Sequence, residues 1–178
     1  MPDAAENYHP VELQQRYHSQ AIRVWIGLLL VTSLWVLCIV MAPVLAANSN
    51  EGFALPIYNF FSYICHQKPE RSFYIAGYPF AVCSRCFGVY FGILLGLIAY
   101  PLWRNIDSVE PLPRFWLFLS LVPIGIDWIL GVTGIWDNNH VSRLITGLIL
   151  GFACATYIVP AVVEIAQNIS RKRLPNIR

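Results

Sequence analysis

Charged residues are scarce in this sequence. They make up 12% of its 178 residues, whereas hydrophobic residues make up 57%. A soluble domain has about 25% charged residues, and so few charges could not cover the surface of a soluble protein of this size. The sequence therefore indicates an integral membrane protein, and its length suits one domain.

Several motifs of soluble enzymes are also absent. The chain has no glycine-rich phosphate-binding loop, no H-E-x-x-H motif and no G-x-S-x-G nucleophile elbow. Its net charge of +2 is too small to indicate binding of nucleic acid. The expected partner is the lipid bilayer, and a membrane-protein partner or a second copy of the chain are the other candidates.

Four long apolar segments predict transmembrane helices, because about 20 such residues cross the hydrocarbon core. A fifth apolar segment is shorter, which predicts an interfacial or re-entrant helix. We therefore expect an all-α integral membrane fold of four transmembrane helices plus one short helix, in a single domain over residues 1–178. The predicted spans are residues 24–46, 78–103, 115–135 and 141–163, and the predicted short helix is 53–65.

Basic residues are distributed unevenly between the two ends of this bundle. Four spans place both termini on one side, and that side carries eight lysines and arginines, against two in the loops of the other side. The positive-inside rule therefore predicts that both termini are cytoplasmic. The eight are Arg16, Arg23, Arg104, Arg114, Arg171, Lys172, Arg173 and Arg178, and the two are Lys68 and Arg71.

The predicted topology gathers the ionisable residues of the spans at the outer end of the bundle. Arg85 and Arg143 each share a helical face with glycines spaced four apart, so both should point along helix-packing faces and away from lipid. Asp127 is the acidic residue at comparable depth, and we expect it to pair with Arg85 or with Arg143. The alternative is that these charges only link helices or extend to the membrane surface.

Three of the five cysteines are also expected at the outer end. Cys83 and Cys86 lie on adjacent turns of a helix, and Cys65 precedes them in a polar segment. Zinc favours tetrahedral sets of three thiolates and one imidazole, so these cysteines with His66 or His140 predict a zinc site. Cys38 and Cys154 lie in mid-span apolar segments, where packing explains them.

Two other uses of these cysteines stay open. A C-x-x-C pair with a third cysteine nearby could exchange disulfides in an oxidising compartment, as membrane thiol oxidoreductases do. Those enzymes use two cysteine pairs, whereas this chain offers three candidate cysteines. The third interpretation is that two of these cysteines form a structural disulfide.

The leading hypothesis is an outward-facing metal site in a polytopic membrane protein. If the protein is an enzyme, a bound ion would activate water or polarise a substrate near the membrane interface. The groups expected to act on that substrate are Arg71, Arg85, Asp127 and Arg143, and the arginines suit an anionic group such as a lipid phosphate. The alternatives are a membrane thiol-disulfide oxidoreductase and a non-enzymatic accessory subunit of a larger membrane complex.

Four motifs of this chain resemble a family of predicted prokaryotic membrane proteins, known as domain of unknown function 2085. They are C-H-Q-K-P-E-R-S-F, V-C-S-R-C-F-G-V-Y-F-G, G-I-D-W and N-N-H-V-S-R-L-I-T-G-L-I-L-G, within residues 61–151. The resemblance implies a small polytopic protein of a prokaryotic cytoplasmic membrane, and it supplies no activity. The positions that match its pattern are Cys65, His66, Gln67, Arg71, Ser72, Cys83, Arg85, Cys86, Gly88, Asp127, Arg143 and Gly147.

Overall fold

A computed structural model describes residues 11–135 and 138–173 of the chain. Two of the basic side chains used to predict the orientation, those of Lys172 and Arg173, lie outside the description, as does Arg178. The helices are α1 (Val11–Ala47), α2 (Glu51–Ser62), α3 (Ser84–Trp103), α4 (Phe115–Val132) and α5 (His140–Arg173). A 3₁₀ turn at Pro69–Arg71 is followed by a two-stranded antiparallel sheet of β1 (Tyr74–Ile75) and β2 (Tyr78–Pro79).

The predicted all-α membrane fold is confirmed. Within the described ranges, four helical segments are long and apolar enough to cross a membrane, namely Gln14–Ala47, Ser84–Trp103, Phe115–Val132 and His140–Arg171. The short apolar segment forms α2, which ends before Cys65. The cysteine therefore lies in the connection between α2 and α3 and is not part of a helix.

The helix of the second span begins at Ser84 and not at residue 78, as the apolar run had suggested. Residues 78–79 instead pair with β1 in a tight hairpin, whose turn has positive φ angles of 49° at Ala76 and 84° at Gly77. Residues 81–82 form a bend, Cys83 is extended with φ −66° and ψ 159°, and the helix starts directly after it. Cys83 thus caps α3 instead of lying within it.

Helices α3 and α5 pack backbone against backbone through their glycine faces. A Cβ atom added at Gly88 would lie 2.5 Å from the carbonyl oxygen of Leu144, and one at Gly92 would lie 2.5 Å from that of Leu148. No side chain fits at such distances, so glycine is what permits this close approach. The glycine faces of α3 and α5 therefore contact each other within one chain, so they are not available to contact a second copy.

The remaining helices position the site from two sides. Helix α1 packs beside α2 and α3, where Ile39, Phe61, Cys65 and Val82 belong to one buried apolar cluster. Helix α4 packs mainly against α5 and leaves most of its apolar side chains exposed, as expected of a surface in contact with lipid. Asp127 is an exception, since it is buried in α4 on the side of the bundle interior.

Candidate functional site

The structure brings three cysteine sulfur atoms together at one end of the bundle. The Sγ atoms of Cys65, Cys83 and Cys86 all lie within 4.8 Å of one another. Cys65 is buried, and its sulfur accepts a hydrogen bond of 3.2 Å from the backbone N–H of Cys83. Hydrogen bonds from the thiols of Cys83 and Cys86 lower the pKa of the Cys65 thiol and outweigh the opposite effect of burial.

Gln67 fixes the position of Cys65 relative to the start of α3. Its side-chain amide donates to the carbonyl oxygen of Tyr58 in α2 at 2.7 Å and to that of Ala81 at 2.8 Å. The backbone at Gln67 has a positive φ of 45°, a left-handed conformation that is uncommon for residues other than glycine. The role of Gln67 could not be predicted from the C-H-Q motif, because its hydrogen bonds go to groups 9 and 14 residues away in the chain.

A cavity of about 290 Å³ opens beside the three thiols. Its lining includes the side chains of His66, Lys68 and Arg71, and its described lining residues include no carboxylate. A larger cavity of about 560 Å³ lies against α4 and α5 and is lined mostly by apolar side chains, with no cysteine, histidine or charged residue among those described. Of these two cavities, the smaller one therefore has the ionisable and metal-binding side chains.

A second set of polar side chains links α3, α4 and the start of α5. Arg85 forms an ion pair with Asp127, which confirms one of the two predicted contacts. The amide of Asn138 donates to the carbonyl oxygen of Asp127 at 2.8 Å and to its carboxylate at 3.1 Å. Arg143 in turn donates to the side-chain oxygen of Asn138 at 2.9 Å. Asn138 therefore connects Asp127 with Arg143, a role that its place in a polar loop does not predict.

The side chain of His140 contacts Ser84, which is the first residue of α3. The buried Ser84 hydroxyl donates to the carbonyl oxygen of Arg71 at 2.9 Å and lies 2.9 Å from Nδ1 of His140. A hydroxyl has one hydrogen to donate, so Nδ1 of His140 is the donor in the second contact. The ring also packs against Phe73, with centroids 5.6 Å apart.

Neither histidine joins the close group of sulfur atoms in the described part of the chain. His66 is exposed and lines the cavity, whereas His140 contacts Ser84. The role of either as a metal ligand stays a prediction. The thiols and the polar network are nevertheless neighbours, because Arg143 lies within electrostatic range of Cys83, Arg71, Arg85 and Asp127.

These features define a polytopic helical membrane protein with a three-cysteine cavity and an adjoining charged network at one end. The chain belongs to the family described as "Predicted membrane protein (DUF2085)", whose model matches residues 65–157. That range begins at Cys65 and contains every residue proposed for the site. The resemblance drawn from the motifs is thereby confirmed.

Two relatives from archaea are similar to this chain. The "Uncharacterized protein MJ1492" of Methanocaldococcus jannaschii is 36% identical over 136 residues, which cover 74% of this chain and 87% of that protein. An "Uncharacterized protein" of Methanothermobacter thermautotrophicus is 39% identical over 97 residues, which cover 53% of this chain and 84% of the relative. No solved structure matches the chain.

Proposed function

We propose that this membrane protein binds a zinc ion through Cys65, Cys83 and Cys86. The observation that carries the proposal is the separation of their sulfur atoms, which all lie within 4.8 Å of one another. Tetrahedral zinc with Zn–S bonds of about 2.3 Å holds its sulfur ligands about 3.8 Å apart. The three thiols therefore need to approach by at most about 1 Å, which is a small change for cysteine side chains.

Three protein ligands leave the fourth position of a tetrahedral site open. Catalytic zinc sites have this arrangement, whereas purely structural sites have four protein ligands. The cavity beside the thiols gives water or a substrate access to that position, and His66 on its lining is a candidate for a fourth protein ligand. A bound zinc ion would polarise an oxygen ligand or lower the pKa of a bound water to about 7.

Residues of the chain would control what reaches this position. Lys68 and Arg71 line the cavity and offset the negative charge of the three thiolates. Their charge also favours an anionic group at the membrane interface as the substrate. The described lining contains no carboxylate that would oppose such a group.

Elemental analysis of the purified protein tests the zinc proposal. Wild-type protein, and the Cys154→Ser variant as a matched control in α5, should each contain about one zinc per chain. Cys83→Ser and Cys65→Ser should lose most of the metal while the far-ultraviolet circular dichroism of the helices is unchanged. Wild-type protein that binds no zinc after treatment with reductant and zinc would refute the proposal.

Thiol-disulfide exchange is the second candidate, and the grouping of three free thiols beside an open cavity favours it. A Cys65 thiolate would attack a disulfide of a substrate, release one substrate thiolate and form a mixed disulfide, which Cys83 or Cys86 would then resolve. Titration of free thiols with and without reductant distinguishes this candidate. Three thiols that remain free after purification in air would argue strongly against it.

We further propose that the thiol cavity faces the outside of a prokaryotic cytoplasmic membrane. The end of the bundle opposite the cavity carries Arg16, Arg23, Arg104 and Arg114, and a basic end of this kind is usually cytoplasmic. A fluorescent protein that matures only in the cytoplasm should be bright when fused to either terminus. Dark fusions at both termini, from protein present in the membrane, would reverse the orientation.

A further inference from the structure

We propose that the end of the bundle carrying the thiol cavity binds a phosphate monoester or inorganic phosphate dianion, held between Arg71 and Arg143. The proposal goes beyond zinc binding, since it uses neither the thiols nor a metal. It rests on how charge is distributed around the cavity and the polar network. The packing of the helices does not by itself explain Arg71 and Arg143, and the proposal assigns them a class of ligand.

Among the described residues at this end of the bundle, there are four basic side chains (Lys68, Arg71, Arg85 and Arg143) against three acidic ones (Glu51, Glu70 and Asp127), and neither Glu51 nor Glu70 forms an ion pair with a described residue. The carboxylate of Asp127 is already paired with Arg85 and accepts a further hydrogen bond from Asn138. In residues 14–135 and 138–171, the ion pairs are this one and the contact of His18 with Asp107. Arg71 and Arg143 thus form no salt bridge with any described residue.

The environment of Arg143 makes this excess costly. Its side chain is half-buried in the first turns of α5, and its described hydrogen bond goes to the neutral amide of Asn138. Arg71 and Arg85 both lie within electrostatic range of it and repel it. Like charges gathered in a partly buried site raise the free energy of the folded protein unless a counter-charge is present.

The chemistry of the cations indicates which anion would supply that counter-charge. A guanidinium group presents a planar fork of N–H donors that fits phosphate and carboxylate oxygens in pairs. A phosphate monoester carries about −1.5 to −2 charges at neutral pH, which balances two arginines, whereas a carboxylate or a phosphodiester carries one. The exposed Lys68 on the cavity lining adds a third cation at the rim.

Arg71 is the appropriate residue for testing the site. Its side chain is exposed and donates no hydrogen bond among the described contacts, so Arg71→Gln should leave the fold intact. Its backbone carbonyl still accepts the hydrogen bond from Ser84 in the variant. Arg23→Gln is the matched control, because Arg23 is an exposed arginine of α1 whose described side-chain hydrogen bond goes to the carbonyl oxygen of Ser19 in the same helix.

The experiment measures thermal unfolding of the full chain in phosphatidylcholine nanodiscs that contain a metal chelator. One series adds inorganic phosphate, and a second replaces a fraction of the lipid with phosphatidic acid or, as a control, with phosphatidylglycerol. We expect the midpoint of unfolding to rise with inorganic phosphate, with phosphatidic acid or with both, and to rise less with phosphatidylglycerol. A response to phosphatidic acid alone identifies a lipid headgroup, and a response to inorganic phosphate identifies a soluble ligand.

Arg71→Gln should weaken the apparent affinity about tenfold or more, the loss expected for one charge-assisted hydrogen bond. Arg23→Gln should match the wild type. An unchanged midpoint with both phosphate compounds, or an Arg71→Gln response equal to the wild type, would overturn the proposal. A response seen only in Asp137→Asn protein would also overturn it, because a carboxylate outside the described residues would then already balance the arginines.

Discussion

The guanidinium group of Arg85 in α3 forms an ion pair with the carboxylate of Asp127 in α4. Asp127 is only 8% exposed, and α4 otherwise packs mainly against α5. Asp127→Asn would leave the charge of Arg85 without its partner inside the bundle. Breaking a buried pair in this way costs about 3–5 kcal/mol, so the free energy of unfolding in mixed micelles should fall by an amount of that order.

The double variant Arg85→Gln, Asp127→Asn is the control for this prediction. It removes both charges, so it should be more stable than Asp127→Asn alone. Equal stability of Asp127→Asn and the wild type would mean that the pair contributes nothing to folding. The charges would then be held for function alone.

The close packing of α3 against α5 predicts that a larger residue at Gly92 lowers the stability of the protein. An alanine at Gly92 would place its Cβ atom 2.5 Å from the carbonyl oxygen of Leu148, so the helices would have to separate. Overpacking of this kind costs about 1–3 kcal/mol. Gly125→Ala in α4 is the matched control, because nothing lies within 4 Å of a Cβ atom there. The two variants should differ in their midpoints of thermal unfolding, and equal midpoints would contradict the observed helix contact.

Much of the helical architecture could be predicted from the sequence because it depends on local patterns. Apolar runs of sufficient length indicate spans, and the spacing of Gly88 and Gly92 marks the face that packs against α5. The start of α3 could not be predicted in the same way. It depends on a hairpin whose turn holds Ala76 at a positive φ, a conformation that an alanine in an apolar run does not suggest.

Part of the candidate site could likewise be predicted from the sequence, and part could not. The cysteine spacing and the shared depth of Arg85 and Asp127 are visible in the sequence, and the structure brings each set together. Asn138 and Gln67 were not assigned roles, because both act through hydrogen bonds to groups on other segments. An amide side chain in a polar loop has no local pattern that separates such a role from simple exposure to solvent.

Gln67 should therefore be important both for stability and for the geometry of the thiols. Gln67→Ala removes the hydrogen bonds to the carbonyl oxygens of Tyr58 and Ala81, and an unsatisfied buried partner costs about 1–3 kcal/mol. Gln67→Gly removes the same bonds but accepts the positive φ of 45° without strain. The glycine variant should unfold at a higher temperature than the alanine variant, and both should bind zinc more weakly than the wild type. Unchanged zinc affinity in both would show that Gln67 does not position Cys65.

Thiol labelling gives a direct measure of which cysteines line the cavity. Cys65, Cys83 and Cys86 lie on its wall, whereas Cys38 and Cys154 lie within the helices of predicted spans. A charged maleimide added to chelator-treated protein in nanodiscs should therefore modify the first three, and addition of zinc before the reagent should protect them. Mass spectrometry of peptides locates each modified residue. Protection by zinc that persists in Cys83→Ser protein, or modification of Cys154 at the same rate as Cys65, would contradict this arrangement, because the cavity would then not be the route by which polar molecules reach the thiols.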